Sequence, residues 1–426
     1  MTIQQAISSP GCGCYARDTP KTLISIDQAL ARIATHVAPV GCTEAVTLDR
    51  ALGRVLAHPV LSLSMAPAFD NAAMDGYAIA TGALAGNGPW KLQVVGRVAA
   101  GRETKASLAG KRAARIFTGA PIPDGADAVV KQEEVTRDGD VMQLTRRPAA
   151  GLNIRRAGSD MAKGAPVLDK GRRLRPRDIA ACAAAGAGTV QTRRRLRVAL
   201  LVTGDELRNP GDLRDPAQIW DVNMPLLTAS LAAAGADIVA SAHGADSLAG
   251  LVRQMGDMAA QADLVITTGG ISVGEEDHVK PAFAKLGGET LFSGVAIKPG
   301  KPVSAGRIGN THWLGLPGNP LAAYVTWQVF GMALLRVLGG EAVKGSARRL
   351  VVTDAPISRK PGRCELRPAT LAGVDAHGRE VVSFDDATHS ARLGCLPMAD
   401  GLMFLPANTE SLPSGALVEF QPFCQS

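Results

Sequence analysis

Residues 262–320 open ADLVITTGGISVGEEDHVK and close IKPGKPVSAGRIGNTHWLGLPGNP. The apolar run 263–268 is of strand length, and Gly269-Gly270 ends it abruptly, as a strand ends where an α/β sheet opens its ligand crevice. Ser272 and the acids Glu275, Glu276 and Asp277 follow, and then Lys298, Lys301 and Pro302 in a turn stiffened by proline and glycine. Upstream, Thr203-Gly204-Asp205-Glu206 closes a second apolar run, with Asp221 and Asp246 after it. Glycines let backbone N–H groups approach an anion, carboxylates hold a hard divalent cation, and lysines neutralise oxyanions. Together these meet the needs of a phosphate-handling site. Acids gathered at a glycine-rich edge repel one another unless a cation sits among them, and Mg²⁺ takes one or two carboxylates plus phosphate oxygens and water. On this reading Glu206, Asp277 and Asp246 are the metal ligands, Asp277, Glu206 and Asp205 are the catalytic candidates, and Thr203, Gly269, Gly270 and Ser272 cradle phosphate. The plainer reading is a set of tight turns whose acids cap the following helices, which suits Asp246 best and Glu206 and Asp277 least.

The elements that must position these residues alternate from Arg197 onward, the mark of a mostly parallel α/β sheet over 197–340. Strands are expected at 197–202, 237–241, 263–267, 289–295 and 311–316, and helices at 224–234, 247–260, 279–286 and 320–338. The first strand then delivers its carboxylates to the carboxyl edge that also receives Asp277. Before the sheet domain, 1–20 reads as a disordered leader, and 21–60 with 141–196 as a discontinuous α+β domain. That domain has a helix over 22–35 capped near Ser25 or Asp27, a helical ALGRVLA at 51–57, and a helix over 175–187. Short alternating strands at 91–98, 113–117 and 128–132, broken by Gly and Pro, indicate a small β domain inserted at 61–140. The proline-punctuated strands of 346–426 suggest a small β-barrel.

At 426 residues the chain exceeds what one core supports, and three or four domains are expected. No apolar run is read as approaching the roughly 18 residues of a membrane span, and the N-terminus lacks a signal-peptide pattern, so a cytoplasmic protein without membrane partners is expected. Seven scattered cysteines form no disulfide framework, and Cys12 and Cys14 lack partners at metal-ligand spacing. The net charge of +7 gathers at Arg155-Arg156, 172–177 and 193–197, but aromatics are only 4% and give no stacking platform for nucleic acid. Small anionic substrates account for the charge as well, and most of these arginines read as a solvated face.

TTGGxSVGExD, IKPGKP and GLPGNP, with FDNAAMDGYA at 69–78, IFTGAPIPDGADAVVKQEE at 116–134 and GLNIRRAGSD at 151–160, resemble the MoeA-type molybdopterin molybdenumtransferases. The resemblance spans nearly everything after residue 20. It implies an elongated four-part subunit, typically a homodimer, that takes adenylylated molybdopterin and molybdate and releases AMP with Mg²⁺. It also implies substrate-binding roles for Asp75, Thr118 and Asp160, and a molybdate grip of Arg363 and Ser390 with Lys298, Lys301 and Pro302. The family's Gly-Ser-Gly-like turn is His389-Ser390-Ala391 here, Gly294 stands close to where many members carry a further basic residue, and Ala322 occupies a position that is often Ser. Because the resemblance places N-terminal and sheet-domain acids at one pocket, a two-fold dimer with shared sites is expected. Contact with the molybdopterin adenylyltransferase is a further expectation. Two rival functions remain: adenylyl transfer from ATP, which needs neither inserted β domain nor barrel, and non-enzymatic scaffolding, against which Glu206 and Asp277 speak.

Overall fold

The computed structural model describes residues 23–102, 107–245, 247–271, 277–342, 348–385 and 393–423. The chain divides into two compact units, one of Met1–Glu44, Gly53–Val55 and Arg193–Ser426, the other of Ala45–Leu52 and Leu56–Thr192. Helix α1 (Ile26–His36) belongs to the first. Ser25 Oγ accepts from the Gln28 amide at 3.1 Å while Gln28 Oε1 accepts from the Ser25 amide at 2.9 Å, so two orphan helix donors are satisfied reciprocally. Ser25 is therefore the cap, and Asp27 sits in the first turn, where its charge suits the helix dipole.

The second unit holds a six-stranded sheet: β1 (Gly76–Ile79), β2 (Trp90–Val98), β3 (Arg112–Ile116), β4 (Ala128–Lys131), β5 (Val135–Asp138) and β6 (Val141–Leu144), in the order β4-β1-β3-β2-β6-β5. Strand alternation splits its apolar residues between two cores, Tyr77, Ile79 and Val130 on one face and Ala78, Ala114 and Val129 on the other. Gly76, in the middle of MDGYA, is required by β4: a Cβ there would lie 1.9 Å from the Val130 carbonyl oxygen. Helix α2 (Pro176–Ala184) also belongs to this unit. The helix expected at 51–57 is not formed. Gly53 takes φ 74°, and Leu56 instead donates to Arg172 O at 3.0 Å and accepts from the Gly171 amide at 2.7 Å, a pairing that helical geometry would forbid.

In the first unit, β7 (Arg197–Val202), β8 (Asp237–His243), β9 (Leu264–Thr268), β10 (Glu289–Ser293), β11 (Ile297–Lys298), β12 (Ser304–Ile308) and β13 (Thr311–Leu316) alternate with α3 (Asn223–Ala233), α4 (Leu248–Gln261), α5 (Val279–Lys285), α6 (Pro320–Thr326) and α7 (Met332–Leu338). The sheet order is β8-β7-β9-β13-β12-β10; the first three pairings are parallel and the last two antiparallel. The inner strands β7, β9 and β13 are covered on both faces and buried along nearly their whole length, while the edge strand β8 alternates between exposed and half-buried residues. Val198, Leu200, Ile266 and Leu314 pack towards α3, α6 and α7, while Ala199, Leu201, Val265 and Trp313 pack towards α4 and α5. At the sheet's amino end Asp263 accepts both Arg194 guanidinium nitrogens at 2.7 and 2.6 Å and the Arg197 amide at 2.8 Å, so Arg194 is a structural residue.

The stretch Pro320–Leu338 runs through a π turn at Trp327–Gly331 and is 19 residues long with mean hydropathy 1.5, which corrects the expectation that no apolar run reaches span length. It is mostly buried against the sheet, with Trp327, Phe330, Leu334 and Leu338 at 0–1% exposure, and so is a core helix. The β-barrel is closed by β14 (Arg349–Thr353), β15 (Cys364–Val374), β16 (Glu380–Phe384), β17 (Gly401–Leu405) and β18 (Leu417–Pro422), paired in the circuit β15-β16-β14-β18-β17-β15.

Candidate active site

From β7 the chain goes to β8 on one side and then to β9 on the other, so a crevice opens between the carboxyl ends of β7 and β9, where open α/β sheets bind ligands. A cavity of about 510 Å³ lies there. Each of the four parallel strands runs into a glycine within two residues of its end, and Gly204, Gly244, Gly269 and Gly318 all line this cavity. Close packing of the strand ends accounts for them. Gly269 has φ 83°, and a Cβ on it would lie 2.6 Å from the Thr203 carbonyl oxygen; one on Gly318 would lie 3.3 Å from Gly269 Cα. Thr203 is held by its amide at 2.9 Å and its hydroxyl at 3.1 Å, both donating to Thr268 O. On the β13 side Asn319 caps α6 by accepting from the Ala322 amide at 3.3 Å, and Pro320 takes the first helical position, which explains the GNP triplet.

Asp205 and Glu206 are exposed in the loop after β7, Asp277 is half-buried before α5, and all three line the cavity. The Glu206 carboxylate lies against Gly204, where a Cβ would meet its oxygen at 2.8 Å. Beside Asp277, burial pushes the Lys280 ammonium below its ordinary value and the Asp277 carboxylate counteracts it. Asp221 also reaches the rim, but its oxygens are engaged in the fold: Oδ1 accepts from the Met224 amide at 3.1 Å, and Oδ2 lies 3.0 Å from His243 Nε2. The cap of α4 is Ser247, whose Oγ accepts from Gly250 at 3.1 Å, so the capping role considered for Asp246 has another holder.

Asn223 is a wall residue that sequence reasoning missed. Its Nδ2 donates to Gly318 O at 2.7 Å and to Thr268 Oγ1 at 3.2 Å, joining the ends of β9 and β13, while its buried Oδ1 has no partner among the described residues. The available signal was an Asn opening an apolar helix two residues after the acid of the IWD triplet.

Among the described residues no group of three or more His, Cys, Asp or Glu forms a metal cage. Glu206 and Asp277 on one cavity nevertheless suit Mg²⁺, which needs one or two carboxylates and draws its other oxygens from substrate and water. Asp246, the third expected ligand, lies outside the described residues, as do Ser272, Ser390, Cys12 and Cys14.

The residues expected to grip the oxyanion lie elsewhere. β11 pairs in parallel with β15, Ile297 opposite Cys364 and Lys298 opposite Glu365. Arg363 donates from a guanidinium nitrogen to Ile297 O at 3.0 Å, and Lys298 Nζ lies 3.8 Å from Glu365 Oε2. Glu365 is itself buried, with Arg359 and Arg367 at 3.1 and 3.0 Å. Lys298, Lys301 and Arg363 thus share one turn and barrel edge but do not line the cavity; of that turn, Pro302 does. Thr203, Asp205, Glu206, Gly269, Gly270, Asp277 and Pro302 are brought to the cavity. Asp75, Thr118 and Asp160 are exposed residues of the other unit. There the Thr118 amide and hydroxyl donate to Asp75 Oδ1 at 2.8 and 2.7 Å and hold its carboxyl below the usual carboxylate range.

Family models match residues 24–186 as the MoeA N-terminal region (domain I and II), 199–337 as a "Probable molybdopterin binding domain", and 351–423 as the MoeA C-terminal region (domain IV). The chain is 35% identical over 384 residues to Molybdopterin molybdenumtransferase 2 of Mycobacterium tuberculosis, covering 88% of this chain and 93% of that one. It is 34% identical over 408 residues to the Molybdopterin molybdenumtransferase of Bacillus subtilis, covering 94% of each. The crystal structure of the molybdopterin biosynthesis MoeA protein from Pyrococcus horikoshii superposes with a TM-score of 0.81 at 26% identity, over 94% of this chain and 100% of that one. With the three regions matched in order and the glycine- and acid-lined cavity inside the second, the chain belongs to the MoeA family of molybdopterin molybdenumtransferases, transferases of molybdenum-cofactor biosynthesis.

Proposed function

We propose that this enzyme inserts molybdenum, taken as molybdate, into adenylylated molybdopterin with Mg²⁺-dependent release of AMP. The observation that carries the reading is the placement of Asp205, Glu206 and Asp277 on one cavity with the glycine-edged ends of four parallel strands. The glycine rim and Thr203 offer donors to phosphate oxygens, and Asp277 aims a nucleophilic oxygen at the adenylyl phosphorus as the phosphoanhydride bond breaks. Glu206 and Asp277 would hold Mg²⁺, which when bound neutralises charge on the anhydride. Lys298, Lys301 and Arg363 grip the tetrahedral oxyanion through charge-assisted hydrogen bonds. Incubating the enzyme with adenylylated molybdopterin, molybdate and Mg²⁺, and separately with ATP and molybdopterin, tests the reading. AMP release in the first mixture supports it, pyrophosphate in the second indicates adenylyl transfer, and neither product indicates scaffolding.

The same reading makes the enzyme a homodimer whose sites combine Asp75, Thr118 and Asp160 of one subunit with the cavity of its partner. Supporting it, the second unit exposes Leu61, Leu63, Met65, Phe69 and Met74 within one short stretch, apolar surface of the kind that self-association covers. Cys42, Cys182 and Cys364 stand as thiols, which suits the reducing cytoplasm. The adenylyltransferase that makes the substrate is the natural contact for its hand-over.

Arg363→Ala removes a planar, multidentate donor and should raise the molybdate concentration for half-maximal activity by about 10-fold or more, with Arg363→Lys a poor substitute. Titrations of the Ala variant that overlay the wild type would place the anion elsewhere.

A further inference from the structure

The chain has four tryptophans, and three are interior: Trp90, Trp313 and Trp327 are 9%, 1% and 0% exposed. Trp220 is 40% exposed and lines the cavity, whose other walls are mainly glycine, carboxylate and aliphatic residues, with the imidazole of His278 as the one other aromatic ring among the described lining residues. An indole at such a rim has no core to fill. Its position is nonetheless fixed by backbone bonds on either side. The Ile219 amide donates to Glu206 O at 2.8 Å and the Asp221 amide to Arg208 O at 2.8 Å, so Ile219–Trp220 pairs in parallel with Leu207–Arg208, immediately beyond the catalytic candidate Glu206. The next residue, Asp221, is 1% exposed and anchored to Met224 and His243. The Arg214 guanidinium lies 5.3 Å from the indole centroid and is tethered to Gln218 O, which steadies one face of the ring.

We propose that Trp220 is a substrate-orienting platform that stacks a fused, planar nitrogen heterocycle of the ligand, either its purine or its pterin. The inference rests on the adenylylated-molybdopterin reading above, since that substrate carries one such ring at each end of a phosphoanhydride. With the anhydride at the glycine and acid rim, one of the two rings falls at the mouth, where stacking on an aromatic face stabilises it without hydrogen-bond readout.

The protein carries its own reporter, because Trp220 is the tryptophan that a stacked ring can reach and quench. The full chain is titrated with AMP and, separately, with 6-hydroxymethylpterin, by fluorescence and by calorimetry. One of the two probes is expected to quench emission in the wild type and not in Trp220→Phe. Trp220→Ala should weaken that probe about 10-fold, while Trp220→Phe, which retains a stacking face, stays within about 3-fold of wild type. The quenching probe identifies the ring as purine or pterin. Equal affinity of wild type and Trp220→Ala for both probes, with no quenching, overturns the proposal. The two readings fail separately: an enzyme that releases AMP with the same KM when Trp220 is Ala loses the platform and keeps the reaction. Trp220-dependent AMP binding without AMP release from the adenylylated substrate keeps the platform and loses the reaction.

Discussion

Replacing Asp277 by Asn should lower AMP release by about 10²-fold or more, the scale of removing one preorganised electrostatic stabiliser from a reaction centre. The substitution keeps the size of the side chain and removes the charge, at a half-buried position before α5 where Glu206 is the other acid suited to a cation on the same cavity. Binding of adenylylated molybdopterin, measured by calorimetry, should largely survive, because the glycine rim and Thr203 are untouched. The neighbouring Lys280 ammonium loses the carboxylate that offsets its burial, so its protonation should shift further downward. AMP release at the wild-type rate would remove Asp277 from the chemistry.

A comparably large effect, in the opposite direction, is expected from mixing two inactive chains. Asp75 and its partner Thr118 belong to one compact unit, and the cavity acids to the other. If two-fold pairing completes each site, a dimer of an Asp75→Ala chain with an Asp277→Asn chain carries both lesions in one site and none in the other. Co-expression with two affinity tags should then recover about half the wild-type rate per mixed dimer on this symmetry argument. Mixed dimers as inactive as either parent would mean that each site is built within a single chain.

Much of the sheet domain was legible because its signals are local. The apolar runs at 197–202 and 311–316 match the observed strands, and GNP before an apolar stretch marks a capped helix whose Asn and Pro take those roles. β12 was missed for a physical reason: Gly306 lowers its strand character, yet a Cβ there would meet Phe283 at 2.5 Å and Glu289 O at 2.6 Å. At the site, residue types were readable and company was not. Lys298 stands in the same motif as Pro302, but a strand some 66 residues later draws it to Glu365 and leaves only Pro302 on the cavity. Asn223 and the Asp221–His243 pair are likewise non-local, each joining elements whose adjacency follows from strand order. Before the sheet domain, the helical reading of 51–57 failed where Gly53 and long-range backbone pairing outweighed local propensity.

The hydrophobic cluster under the sheet has a consequence for how the molecule comes apart. Ile26, Ala29 and Ile33 of α1, the β7 and β9 residues Leu200 and Ile266, and the barrel residues Cys364, Leu366, Leu402 and Phe404 belong to one continuous cluster, although they come from three segments that family models treat separately. Cutting the chain after α7 would strip the cluster of its barrel side, so a fragment ending there should bind dyes that report exposed apolar surface. In the intact protein, amides of β7 and β17 should exchange with deuterium in the same slow class, opening together as one cooperative block rather than domain by domain.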